Sequence, residues 1–233
     1  MAEINWDEVT SEATSLLADF VRIPSVNPPG DEVEATEFLR DFLAREGIES
    51  TVYDAGERRM SLSARLDGRD SLKPLVLLNH TDVVPVQEEY WTVEPFAGLV
   101  RDGQIWGRGA LDMKGMAVME LLAFVLLKRQ GIELKRPVVF LAVADEEAGG
   151  ARGIEWLDKE HPELLDGEWV INEGAYGYMN LFDQGRPVFA ICPAEKTPLW
   201  LTVRAHGPAG HGSVPLAEAA PVKLTRALQR IHD

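Results

Sequence analysis

Apolar residues fall at helical spacing from Trp6 to Val21, where Val9, Ala13, Leu16, Leu17 and Phe20 share one face, and again from Val33 to Arg45. Between them lies Ile23-Pro24-Ser25-Val26-Asn27-Pro28-Pro29-Gly30, a turn rich in helix and strand breakers, so two helices joined by a structured loop are predicted to open the chain. Short β-like segments follow at Ser50 to Tyr53 and Ser61 to Leu66. Three continuous apolar runs come next, at Pro74 to Leu78, Pro137 to Val143 and Trp169 to Ile171. Runs without alternation suggest strands buried on both faces, the habit of a parallel sheet. Helical patterns at Met113 to Arg129 and Ala151 to Glu160 lie between them. The expected fold is α/β, a three-layer α/β/α domain around a mostly parallel central sheet.

The pattern changes near Ala194. Leu199 to Ala205 alternates and predicts a half-exposed strand, Gly207-Pro208-Ala209-Gly210-His211-Gly212 predicts a turn, and Ala217 to His232 predicts a helix. The expectation is a first domain over residues 1–195 and, over 196–233, the start of an α+β lid or dimerisation domain. One strand and one helix bury too little surface to stand alone, so the sequence is expected to be the N-terminal portion of a longer protein.

Composition narrows the function classes. A net charge of -15 over 233 residues works against binding nucleic acid phosphates or an anionic membrane. Met1 to Phe20 lacks the basic, apolar and small-residue succession of a secretory signal, and the longest apolar run, Met116 to Leu127, is too short to cross a bilayer. Cys192 is the only cysteine, which excludes an internal disulfide and makes a cytoplasmic location the default expectation.

The chemistry gathers after the apolar runs. The first ends in Asn79-His80-Thr81-Asp82, the second in Asp145-Glu146-Glu147 and the third in Asn172-Glu173-Gly174. Gly107-Arg108-Gly109-Ala110-Leu111-Asp112-Met113-Lys114-Gly115 presents a further Asp between the first two. Reactive groups in open α/β sheets collect beyond the carboxyl ends of the strands. Singly, these residues read as a hydrogen-bonded histidine, a solvated acidic loop and a helix cap at Asp112. Together, so many acids on one edge would repel one another unless a cation neutralised them. A mixed imidazole and carboxylate set suits zinc, with cobalt or manganese as alternatives. There is no G-x-S-x-G nucleophile elbow and no G-x-x-x-x-G-K-[ST] phosphate loop.

At these residues the sequence resembles the di-zinc exopeptidase and deacylase family, whose members include acetylornithine deacetylases, succinyl-diaminopimelate desuccinylases, aminoacylases and glutamate-releasing carboxypeptidases. The motifs are Asn79-His80-Thr81-Asp82-Val83-Val84-Pro85, the Gly107 to Gly115 loop, Ala144-Asp145-Glu146-Glu147, Asn172-Glu173-Gly174 and Gly207-Pro208-Ala209-Gly210-His211-Gly212-Ser213-Val214-Pro215. The resemblance implies two zinc ions. His80 and Glu173 would bind one, Glu147 the other, and Asp112 would bridge them. Asp82 would orient the His80 imidazole, Glu146 would be the general base, and His211 would reach toward the oxyanion. The implied reaction is hydrolysis of an amide bond in a small N-acyl amino acid or peptide, by a protein that pairs as a homodimer in its full-length form. The family's last metal ligand, a histidine near the end of a longer chain, has no counterpart here. The alternative reading is therefore a catalytically inactive binding or scaffold chain of the same fold.

Overall fold

A computed structural model of the chain describes residues 3–174, 177–189, 199, 201–214 and 216–232. The chain divides into two compact units, Met1–Gly174 and Ala175–Asp233. The boundary expected at 195–196 falls in a stretch, 190–198, outside the described residues.

In the first unit, helices α1 (Trp6–Val21) and α2 (Val33–Arg45) precede strands β1 (Ser50–Asp54), β2 (Met60–Leu66) and β3 (Leu75–His80). A short hairpin, β4 (Leu99–Arg101) and β5 (Gln104–Trp106), turns through Asp102 and Gly103, both at positive φ. Asp-Gly is the sequence signal for that turn. Helix α3 (Lys114–Arg129), strand β6 (Val138–Val143), helix α4 (Ile154–Glu160) and strand β7 (Trp169–Ile171) complete the unit.

The sheet order is β1-β2-β6-β3-β7. β2 runs antiparallel to both β1 and β6, while β3 is parallel to β6 and to β7, so four of the five strands point the same way. The sheet is mostly parallel, as the apolar runs predicted. Side chains alternate between two faces. Leu62, Leu77 and Phe140 meet Phe20 of α1, Leu39 and Leu43 of α2 and Phe124 of α3 in one cluster. Val76, Val139, Leu141 and Val143 meet Leu157 of α4 in the other. These are the three expected layers.

Every residue of the central strand β6 is buried, but β7 is not: Trp169, Val170 and Ile171 are 63%, 55% and 46% exposed. The expectation that all three apolar runs would be buried fails at β7, because among the described residues it lies at the sheet edge and pairs with β3 alone. An apolar run signals a strand, not its number of neighbours.

The second unit contains an antiparallel hairpin of β8 (Gly177–Met179) and β9 (Pro187–Phe189) and helix α5 (Ala220–His232). The strand expected over Leu199 to Ala205 is not formed in the described part of that stretch, residues 199 and 201–205. Alternation supplies a face, but a strand also needs a paired neighbour, and among the described residues none is paired with this stretch. Helix α5 begins at Ala220 rather than Ala217, with Pro221 in its first turn, where a missing N–H costs no helical bond. Among the described residues no helix is long and apolar enough to cross a membrane.

Candidate metal centre

Parallel pairing brings three strand ends to one edge. His80, the last residue of β3, lies opposite Val143, the last of β6, and Leu77 lies opposite Ile171, the last of β7. The segments carrying Asp82, Glu146, Glu147 and Glu173 therefore leave the sheet on the same side.

His80 is almost wholly buried, at 1% exposure. Its Nδ1 is 2.9 Å from the backbone carbonyl oxygen of Asp82 and 3.4 Å from that residue's Oδ1. A carbonyl oxygen can only accept, so Nδ1 donates a proton to it and Nε2 is the ring nitrogen that faces the carboxylates. Around Nε2 lie Asp112 Oδ1 at 3.2 Å, Glu173 Oε1 at 3.6 Å and Glu146 Oε2 at 3.7 Å. One ligand atom each from His80, Asp112 and Glu173 come within 4.8 Å of one another, close enough to share a cation. The Asp112 carboxylate faces the imidazole, and helix α3 has no side-chain cap at its start, so capping is not what Asp112 does.

The local backbone fixes this arrangement. The His80 amide donates to Met113 Sδ, and Thr81 N–H donates to the Val143 carbonyl oxygen, extending the β3–β6 ladder past the last strand residue. Asp82 is fully buried; its Oδ1 accepts from the Glu146 amide at 3.1 Å and its Oδ2 from the Glu147 amide at 3.0 Å. Asp82 thus holds the loop after β6 against the loop after β3.

The electrostatics describe a pocket short of positive charge. Burial disfavours the His80 cation, yet Asp82, Glu146 and Glu173 outweigh it and raise the imidazole to about 9. Burial pushes Glu173 up to about 7, helped by Asp112 and Glu146 and opposed by His80. Burial also raises Glu147, with Asp112 and Glu146 adding to it against His80. Asp82 goes the other way: burial would raise it, but hydrogen bonds with His80 and Asn27 hold it below the usual carboxylate range. Acids that resist ionising beside an imidazole that holds its proton are what a multivalent cation would relieve, and the donor set of one imidazole and carboxylates fits such an ion.

Of the residues singled out in the sequence, His80, Asp82, Asp112, Glu146 and Glu173 converge. Glu147 joins them through its backbone, but its carboxylate is not part of the three-ligand group. His211 belongs to the second unit, where its Nδ1 is 2.8 Å from Ser213 Oγ. A cavity of about 180 Å³ lined by Asn79, His80, Glu146 and Asn172 opens beside the cluster. Asn27 and Arg59 were missed, although both are buried against its acids. Residue 27 sat in a stretch read only as a turn, and nothing in the spacing of residues 27, 59, 82 and 145 announces that they meet.

Comparison with known proteins follows the same line. Residues 76–193 match the model of peptidase family M20/M25/M40. Aminoacylase-1 of Sus scrofa is 32% identical over 223 residues, covering 94% of this chain and 53% of that protein. The M20 family metallo-carboxypeptidase Sso-CP2 of Sulfolobus solfataricus superposes with a TM-score of 0.61 at 25% identity, covering 70% of this chain and 37% of its own. The YXEP protein of Bacillus subtilis, described as a dinuclear metal-binding peptidase of the M20 family, gives a TM-score of 0.53 at 25% identity, over 71% and 43% of the two chains. The chain spans about half the length of its aminoacylase relatives.

Proposed function

The chain belongs to peptidase family M20/M25/M40, and on that premise we propose that it supplies the metal-binding part of a hydrolase acting on the amide bond of small N-acyl amino acids or short peptides. The observation that carries the reading is the convergence of His80 Nε2, Asp112 and Glu173 at the carboxyl ends of parallel strands. The names of its relatives, an aminoacylase and a metallo-carboxypeptidase, support the substrate class.

In this reading His80 and Glu173 would hold one zinc ion and Glu147 a second, with Asp112 placed to serve both; cobalt or manganese would suit the same donors. Such ions, when bound, acidify a water and polarise the scissile carbonyl. The protein does the rest. Asp82 fixes the His80 ring with Nε2 turned toward Asp112 and Glu173. Glu146, on the loop that Asp82 grips, takes the proton of the attacking water and returns it to the leaving amine. His211 donates to the oxygen of the cleaved carbonyl as its charge develops.

The test is release of free amino groups from N-acetyl amino acids and dipeptides by the zinc-loaded protein and by Glu146→Gln. The expected result is turnover in the parent and a loss of at least about a hundredfold in the variant with its metal retained. Near-normal turnover in Glu146→Gln would remove Glu146 from the base role.

A further inference from the structure

Behind the carboxylates lies a buried polar group that the proposed chemistry does not touch. Asn27 is 1% exposed, and both ends of its amide are engaged. Its Nδ2 donates to Asp82 Oδ2 at 2.7 Å and to Asp145 Oδ1 at 3.0 Å, while its Oδ1 accepts from Arg59 Nη2 at 2.9 Å. Arg59, just before β2 and also buried, places Nη1 2.7 Å from Glu32 Oε1 and 3.3 Å from Asp145 Oδ1, and Nη2 donates to the Pro29 carbonyl oxygen at 2.6 Å. Gly30 makes room for it: a Cβ there would fall 1.8 Å from Arg59 Cζ. The turn that carries Asn27 is itself pinned, since the Asn27 amide donates to Val83 O and the Val83 amide to Ser25 O.

The two carboxylates that Asn27 bridges are the two that set the Glu146-Glu147 backbone. Asp82 accepts both amides of that pair. Asp145, immediately before it, sits at a left-handed φ of 66°, and its Oδ2 accepts from the Arg152 amide at 2.8 Å, closing the loop. Left-handed backbone is uncommon outside glycine, though Asp tolerates it better than most, and here hydrogen bonds at both Asp145 carboxylate oxygens accompany it.

We propose that Asn27 and Arg59 are positioning residues that hold Asp82 and Asp145 in register, and through them the Glu146-Glu147 backbone. An amide suits position 27 because it gives a proton to each of two anions and takes one from the cation. An Asp there would lose both donors and add a third carboxylate. Arg59 is the cation that lets Glu32 and Asp145 share a buried space. The consequence for metal binding rests on the function proposed above; the positioning itself does not.

The experiment compares the parent chain with Asn27→Ala and Arg59→Lys, the latter keeping the charge but losing the planar fork. Amide hydrogen exchange is read at Glu146 and Glu147 and, as reference, in β6 and α3. The expected result is exchange at least about tenfold faster at Glu146 and Glu147 with β6 and α3 unchanged, and cobalt affinity reduced about 10- to 100-fold. Parent rates at Glu146 and Glu147, or acceleration only in step with β6, would overturn the proposal and leave a purely structural role. Should Asn27→Ala fail to fold, Asn27→Ser is scored by the same criterion. If the parent takes up no cobalt, the metal reading fails, while the exchange rates still decide the positioning.

Discussion

Glu120→Gln should stabilise the protein, and by an amount that grows with pH. Glu120 lies on α3, 5% exposed, directly behind the His80 segment. Asn79 Nδ2 donates to its Oε2 at 2.9 Å, but neither Glu120 Oε1 nor Asn79 Oδ1 finds a partner among the described residues. Burial pushes the carboxyl up from 4.5 to about 8, with the Asn79 hydrogen bond opposing it. The folded state therefore binds this proton more tightly than the unfolded chain. Below pH 4.5 the group is neutral in both states and has no effect. Between 4.5 and about 8 the unfolded chain ionises first, and stability falls. At about 1.36 kcal/mol per pH unit, the ceiling is ~5 kcal/mol above pH 8 and ~3 kcal/mol at pH 7. Glutamine keeps the shape and cannot ionise, and its amide offers a donor to the unpaired Asn79 Oδ1. Urea unfolding of parent and variant at pH 5, 6, 7 and 8 measures the difference. It should rise steadily across the series. A difference flat with pH would show that Glu120 ionises freely and that its burial has been misread.

Further outcomes follow from packing and charge. Phe140→Ala, in the fully buried middle of β6, should cost about 3–5 kcal/mol by denaturant unfolding without moving a site residue. Arg129 clamps both Glu12 oxygens at 2.7 Å and Glu46 at 2.6 Å, tying the end of α3 to α1 and to the end of α2. Being partly exposed, it should lose only ~1 kcal/mol as Arg129→Ala, and less in high salt. Asp82→Asn should weaken divalent-metal affinity about 10- to 100-fold by calorimetric titration, since His80 loses its charged neighbour and the Glu146 and Glu147 amides lose an acceptor.

Much of this was legible along the chain because the signals are local. Helices α1 and α2 match the predicted spans, and β6 sits where an unbroken apolar run must be buried. His80, Asp112 and Glu173 could be picked out because each follows a strand or opens a helix. What the sequence hid depends on partners distant in the chain. The exposure of β7 follows from its place at the sheet edge, and strand order is not written in any one strand. The missing pairing over residues 201–205 is the same lesson in the second unit. Asn27 and Arg59 were invisible because their meaning lies in meeting Asp82 and Asp145, 55 and 86 residues further on, and single positions carry no trace of that contact.

The central claim is that His80, Asp112 and Glu173 form a metal centre. Elemental analysis of the chain after equilibration with zinc and removal of excess, alongside His80→Ala, tests it most directly. The expected result is at least one zinc retained per parent chain and none retained by the variant at the same site. A parent chain that retains no zinc, or a variant that retains as much as the parent, would contradict the account.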